Sequence, residues 1–161
     1  MRDISFRVAT EADVGKIMEF VRELARFHKM EEGMTVTEEL LRRKLFDENR
    51  AEVIFALDGE REVGFALYYY NFSSVLGRAG LHLEDLYVMD EYRGAGYGKA
   101  LLSRLAAIAV EQGCARLEWV CLESNTPSVR FYLGLGAQRM SEWAQFRLDG
   151  DALERLADMT R

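Results

Sequence analysis

The segment Arg93-Gly94-Ala95-Gly96-Tyr97-Gly98 limits most strongly what this chain can fold into. It lies between a strand-like run, Leu83-Glu84-Asp85-Leu86-Tyr87-Val88, and a helical pattern from Lys99 to Gln112. Glycines at 94, 96 and 98 let the backbone turn tightly at a strand-to-helix junction and come close to a ligand. The first N–H groups of the helix have no intrahelical partner, and the helix dipole favours an anion there. The segment therefore reads as a phosphate-binding turn. No Gly-Lys-Ser/Thr is present, so it is not a Walker loop, and no second strand-and-acid unit follows, which speaks against a dinucleotide site. Taken alone, the same glycines serve equally well to let a strand and a helix pack.

The rest of the chain supplies the context. Ile4–Val8 alternates like a strand, and Thr10-Glu11-Ala12-Asp13 reads as a helix cap with acids in its first turn. Val14, Ile17, Met18, Val21, Leu24, Ala25 and Met30 follow at helical spacing, and Thr37 starts a second helix carrying Leu40, Leu41, Leu45 and Phe46 on one face. Strands are expected at Glu52–Leu57 and Glu62–Tyr70, around the turn Asp58-Gly59-Glu60, then at Leu81–Val88 and Arg116–Val120. Asn125-Thr126-Pro127-Ser128 opens a short helix, with proline where its missing N–H costs nothing. Trp143–Leu148 alternates like a last strand, and Ala152–Ala157 reads as a short helix. This order predicts an α/β (α+β) domain with a mixed sheet and helices on both faces.

At 161 residues, with 49% apolar and 30% charged residues, the chain is expected to form a single domain spanning 1–161. A net charge of −6 argues against nucleic acid or an anionic membrane as the main partner and is compatible with a small cationic substrate. Cys114 and Cys121 have no metal-type spacing, so no metal site is expected. No run is long enough to span a bilayer and no apolar signal segment opens the chain, so a reducing cytoplasm with free thiols is the expected setting.

The motif Arg93-x-x-Gly96-x-Gly98 after the fourth strand, followed by Asn125-x-Pro127-Ser128-x-x-Phe131-Tyr132 and Gly136-Ala137, resembles the GNAT family of acyl-CoA N-acyltransferases. The strand order along nearly the whole chain agrees with that family. Glu23-Leu24-Ala25-Arg26-Phe27, Met30-Glu31-Glu32, Gly64–Tyr69 and Leu83–Met89 are similar to its diamine (spermidine/spermine) and thialysine N-acetyltransferase branch. The resemblance implies a central, mostly antiparallel twisted sheet of about seven strands. It also implies transfer of an acetyl group from acetyl-CoA to a primary amine of a diamine, polyamine or lysine-like amino acid.

The resemblance implies a role for each part of the site. Arg93, Gly94, Ala95, Gly96, Tyr97, Gly98 and Lys99 would hold the pyrophosphate of the donor. Main-chain groups of Leu86, Tyr87 and Val88 would pair with its pantetheine arm, and Asn125 and Ser128 would contact it. Tyr132 would be the general acid: a phenol near pKa ~10 stays protonated at neutral pH and can donate to a departing thiolate. Glu84 would be the general base, through a water. Because adjacent strand residues face opposite ways, only one of Glu84 and Asp85 is expected to face the substrate.

Phe27, His28, Asp85 and Trp119 are the candidate substrate residues. At His28 and Ser74 the acids that bind the polyamine in the resembling branch are absent. Cys121 raises a covalent alternative, opposed by the lack of a histidine nearby in sequence to activate it. Two other readings are a non-catalytic acyl-CoA sensor and a protein or peptide N-acetyltransferase. A homodimer is implied by the resemblance alone.

Overall fold

The computed structural model describes residues 4–160. The chain falls into two compact units, Met1–Val120 and Cys121–Arg161, each considered by itself.

The first unit contains β1 (Ile4–Val8), α1 (Val14–Phe27), α2 (Glu38–Arg42), β2 (Glu52–Asp58), β3 (Arg61–Ser73), β4 (Arg78–Val88), α3 (Tyr97–Glu111) and β5 (Leu117–Trp119). The start of α1 is set locally: the Asp13 carboxylate accepts from the Thr10 N–H at 2.7 Å, closing a cap ahead of the first turn. Thr37 Oγ1 accepts from the Leu40 N–H at 3.1 Å and opens α2, which widens into a π-helical turn over Arg43–Asp47.

Five strands form one sheet in the order β1-β2-β3-β4-β5 among the described residues. Every neighbouring pair is antiparallel except β4 and β5, which run parallel. The class is the expected one, with five strands instead of about seven.

Two cores flank the sheet. On one face α1 and α2 bring Ile17, Met18, Phe20, Leu41 and Leu45 against Val53, Phe55, Phe65, Leu67 and Tyr87. Phe20, 1% exposed, lies 6.2, 5.5 and 5.4 Å from the rings of Phe55, Phe65 and Tyr87, so one α1 side chain locks three strands. Alternation sends Ile54, Ala56 and Ala66 to the other face, where α3 buries Leu101 and Leu105. At the outer strand Arg7 bonds Asp13 at 2.7 Å and Glu62 at 3.2 Å, tying β1 to the α1 entry and to β3.

Two register shifts shape the sheet. Val63 is the extra residue where Ala56 pairs with Gly64 and Leu57 with Glu62. Glu84 is the extra residue where Leu67 pairs with Asp85 and Tyr68 with Leu83.

The second unit holds α4 (Thr126–Gly134) and α5 (Gly150–Asp158). The strand expected at Trp143–Leu148 is not formed. Its alternation is present, but no strand pairs with it among the described residues, and Trp143, Phe146 and Leu148 stay exposed.

The close approach of β3 to β4 depends on Gly64. A Cβ there would lie 2.6 Å from the Tyr87 carbonyl oxygen and 3.2 Å from a Val88 methyl. Gly64→Ala is expected to push the two strands apart and destabilise the protein by about 1–3 kcal/mol, read as a lower midpoint in thermal denaturation. An unchanged midpoint would contradict this packing.

Candidate active site

The site begins with an interrupted ladder. β4 pairs with β3 along its length but with β5 only over Leu81–Leu83, where β5 ends at Trp119. Beyond Leu83 the β5-side edge of β4 has no strand against it among the described residues.

Two hydrogen bonds show which main-chain groups point where. The Leu81 N–H donates to the carbonyl of Arg116, the residue before β5, at 3.0 Å, and the Met89 N–H donates to Val63 on the β3 side at 2.9 Å. Alternation from Met89 turns Tyr87 and Asp85 toward β3, and Leu86 and Val88 toward the open edge. The switch from Leu81 to Leu86 happens at the Glu84 bulge. Tyr87 therefore departs from the expected pantetheine contacts: its polar main-chain groups are spent on the sheet and its side chain on the core. The Val88 carbonyl already accepts from Arg93 Nε at 3.1 Å, which leaves the Leu86 N–H and C=O and the Val88 N–H facing outward.

The glycine loop follows directly. After a 3₁₀ turn at Asp90–Tyr92, Gly94 (φ +74°) and Gly96 (φ +95°) take left-handed conformations, and Gly96 caps α3. A side chain at either position would be strained. Gly98 has no such backbone need, and a Cβ there would meet nothing within 4 Å. A glycine in a helical turn costs about 1 kcal/mol relative to alanine, so Gly98 keeps space open at the helix start at the expense of stability. Tyr97 is the opposite case: at 1% exposure its ring anchors α3 in the core.

Ala95 and Lys99 are exposed in the same turn. Arg93 bonds the Asp90 carboxylate at 2.9 Å and lies 5.0 Å from the Phe27 ring, so its guanidinium braces the loop against the end of α1. His28 follows Phe27, ring to ring at 5.2 Å.

The bulge also overturns one expectation. Glu84 and Asp85 do not face opposite ways. Asp85 pairs with Leu67, on the α1/α2 face, and the Glu84 carboxylate lies 3.7 Å from His82 Nε2. The His82 ring packs at 4.9 Å against Tyr69, two residues on from Leu67 and on the same face. Sequence reasoning missed His82, which as a lone histidine in an alternating strand gave no signal. The two carboxylates thus share a side. Glu84 is 56% exposed, whereas Asp85 is half-buried, and burial first, then the charge of Glu84, pushes its carboxyl up to about 6. Burial first, then Glu84, also raises the Tyr69 phenol. Trp119 is not brought to this face: it is in register with Leu83, while Glu118 is in register with His82.

A hollow of about 310 Å³ is lined by Glu19, Phe20, Glu23, Tyr87, Met89, Asp90 and Glu91. Its acids are paired with Lys16, Arg26, Arg93 and Arg61, so it offers a cation little uncompensated charge.

In the second unit, Asn125 Oδ1 accepts from the Ser128 N–H at 3.4 Å and caps α4. Tyr132 is half-buried, 5.4 Å from the Phe131 ring. Burial first, then Cys121, raises its phenol and keeps it protonated. Burial and Glu123 raise the Cys121 thiol, away from the thiolate that a nucleophile needs. No cluster of metal-type ligands occurs, and no helix is long and apolar enough to cross a membrane, among the described residues.

Residues 17–137 match the family model "Acetyltransferase (GNAT) family". The chain is 38% identical to thialysine N-epsilon-acetyltransferase of Mus musculus, over 98% of this chain and 99% of that protein. It is 31% identical to spermidine/spermine N(1)-acetyltransferase-like protein 1 of Homo sapiens, over 94% of this chain and 23% of that one. Among solved structures, integron cassette protein VCH_CASS6 from the mobile metagenome of V. cholerae superposes with a TM-score of 0.81 at 27% identity, covering 98% of both chains. The chain belongs to the GNAT family of acetyltransferases. It is an N-acetyltransferase that uses acetyl-CoA as co-substrate.

The raised Asp85 carboxyl has a consequence for stability. Its folded value, about 6, exceeds the ordinary 3.8, so folding favours its protonated form. The penalty of ionising it is absent below about 4, grows as pH rises through about 6, and is complete above that. Asp85→Asn is expected to be more stable than the wild-type protein at pH 8, by on the order of 1–3 kcal/mol, with the gain vanishing toward pH 4. Denaturant unfolding at both pH values checks this; a gain independent of pH would contradict it.

Proposed function

We propose that the chain acetylates the terminal primary amine of a small lysine-like amino acid, by direct attack on acetyl-CoA. The observation that carries the reading is the open edge of β4 beyond the bulge, continuous with the glycine turn at one end and flanked by Glu84 and Asp85 on one face. In this reading the pantetheine arm pairs with Leu86 and Val88 as an added strand. The N–H groups at the start of α3 receive the pyrophosphate, with Gly94, Gly96 and Gly98 leaving room for it. Asn125 and Ser128, at the capped start of α4, contact the same arm.

The acceptor enters as an ammonium ion. Its proton leaves through a water to Glu84, and the neutral amine attacks the thioester carbonyl. The C–N bond forms, the C–S bond breaks, and the thiolate takes the Tyr132 phenol proton. The phenoxide then recovers the remaining proton from the new amide nitrogen. The raised phenol of Tyr132 supports the acid role, because it stays protonated until a thiolate demands its proton. The raised Cys121 thiol supports direct transfer over a covalent route.

Asp85, one strand position from Glu84, supplies negative charge toward the cationic end of the acceptor, and Phe27 and His28, at the end of α1, are the further acceptor-binding candidates. The relatives matched over the full chain favour a lysine-like acceptor, and the absence of acids at His28 and Ser74 weighs against a long polyamine. A homodimer is part of the same proposal, and the exposed Trp143, Phe146 and Leu148 offer apolar surface for one.

The test is thiol release from acetyl-CoA over thialysine, lysine, ornithine, putrescine and spermidine. Thialysine or lysine is expected to give the highest kcat/KM, with kcat reduced by about 10²-fold or more in Glu84→Gln and in Tyr132→Phe while acetyl-CoA still binds. Preference for spermidine would overturn the acceptor assignment, and undiminished turnover in either variant would overturn that residue's role. A protein that binds acetyl-CoA but acetylates nothing in the panel would be a sensor.

A further inference from the structure

A lysine-like acceptor carries an α-ammonium and an α-carboxylate beyond its reacting amine, and the reaction described above leaves both without a partner. We propose that the ion pair Arg116–Glu118 is the site for this charged head, with Glu118 taking the ammonium and Arg116 the carboxylate. The inference rests on the lysine-like reading of the acceptor and names the residues that enforce it.

A polar face runs from Glu84 to this pair. Glu84 and His82 share one side of β4. His82 is in register with Tyr69 on β3 and with Glu118 on β5, and Gly80 is in register with Asn71. These residues therefore share one face of the sheet, and none of them is in the core that α1 and α2 bury. The His82 and Tyr69 rings stand 4.9 Å apart and give a methylene chain an aromatic floor. Glu118 lies two residues back and one strand across from Glu84, about 8 Å between backbone positions at ordinary strand rise and spacing. An extended lysine side chain has that reach.

Gly80 makes room at the far end of the face. A Cβ there would collide with the Asn71 amide oxygen, and would lie 3.2 Å from Arg116 Cγ and 3.3 Å from Arg116 Nε. The arginine stem thus lies flat over the glycine, and its guanidinium reaches the Glu118 carboxylate at 2.7 Å. Asn71 Nδ2 donates to the same carboxylate at 3.4 Å. In the free protein these contacts hold both charges over the sheet and preorganise them. Arg116 and Glu118 are 39% and 37% exposed, so each is open to a ligand.

Charge matches charge along this face. At neutral pH a lysine-like molecule has two ammonium groups and one carboxylate. The face has Glu84 and Asp85 at one end and an acid beside a base at the other. A zwitterionic head exchanges the internal ion pair for two outward ones, so no charge loses its counter-ion. A diamine brings no carboxylate, and its second ammonium leaves Arg116 unpaired when it takes Glu118.

Two truncated acceptors separate the roles: cadaverine is lysine without its carboxylate, and 6-aminohexanoate is lysine without its α-ammonium. In thiol release at saturating acetyl-CoA, the wild-type protein is expected to favour lysine over each by about tenfold or more in kcat/KM. Arg116→Gln, whose stem still covers Gly80, is expected to lower kcat/KM about tenfold for lysine and 6-aminohexanoate while cadaverine is spared. Glu118→Gln is expected to lower lysine and cadaverine alike while 6-aminohexanoate is spared. A merely structural role moves all three amines together, so a parallel loss in a variant of wild-type thermal stability, or no loss, overturns the assignment. If a variant unfolds, the wild-type ranking decides alone, and equal activity on lysine and cadaverine overturns the proposal. Preference for spermidine removes the lysine-like acceptor and this site with it. Preference for lysine with variants that do not discriminate removes this site alone.

Discussion

One unpaired residue, the bulge at Glu84, is the constraint on which the rest of the site depends. Before it, β4 gives its outward main-chain groups to β5; after it, the alternation is reversed and Leu86 and Val88 face an edge that β5 does not reach. The same extra residue turns two consecutive acids to one face of the sheet. A strand that continued regularly would close the ladder and separate the carboxylates. The bulge therefore produces both an open backbone edge and a paired-acid surface beside it, and the left-handed glycines at 94 and 96 then bring a helix start to the end of that edge.

Proximity gives the two acids different properties. Asp85, half-buried on the α1/α2 face, holds its proton up to about 6, whereas Glu84 stands open to solvent. Two like groups whose surroundings push them apart can divide the work of carrying charge and moving protons. In the proposed reaction Glu84 accepts the ammonium proton and Asp85 offers charge to the cationic end of the acceptor. The scaffold is fixed by other contacts: Phe20 locks three strands, Tyr97 anchors α3, and Arg7 binds the outer strand to the α1 entry.

The loop, the strand order and the family were legible in the sequence because each has a local chemical cause. Positive φ at Gly94 and Gly96 demands glycine, and the side chains of Asp13, Thr37 and Asn125 accept the backbone N–H groups that mark helix starts. The bulge was not legible. Leu81–Val88 keeps a strand-like pattern across it, and the adjacent pair Glu84-Asp85 is its only trace, which simple alternation misreads as one residue in and one out. His82 was missed for a different reason: a lone histidine in an alternating strand carries no motif, although its i, i+2 spacing from Glu84 already puts the two on one face. Trp143–Leu148 shows the reverse error: alternation records which side chains are apolar and does not provide the strand that would pair with them.

The central claim is that β4 past Glu84 offers its free edge to acetyl-CoA through alternate residues. Residue-resolved amide hydrogen exchange with and without saturating acetyl-CoA tests it most directly. The account predicts that exchange slows at Leu86 and Val88 when the ligand binds, while Tyr87, already bonded toward β3, is slow in both states and does not change. Unaltered exchange at Leu86 and Val88 in the saturated protein, or protection gained at Tyr87 alone, would contradict it.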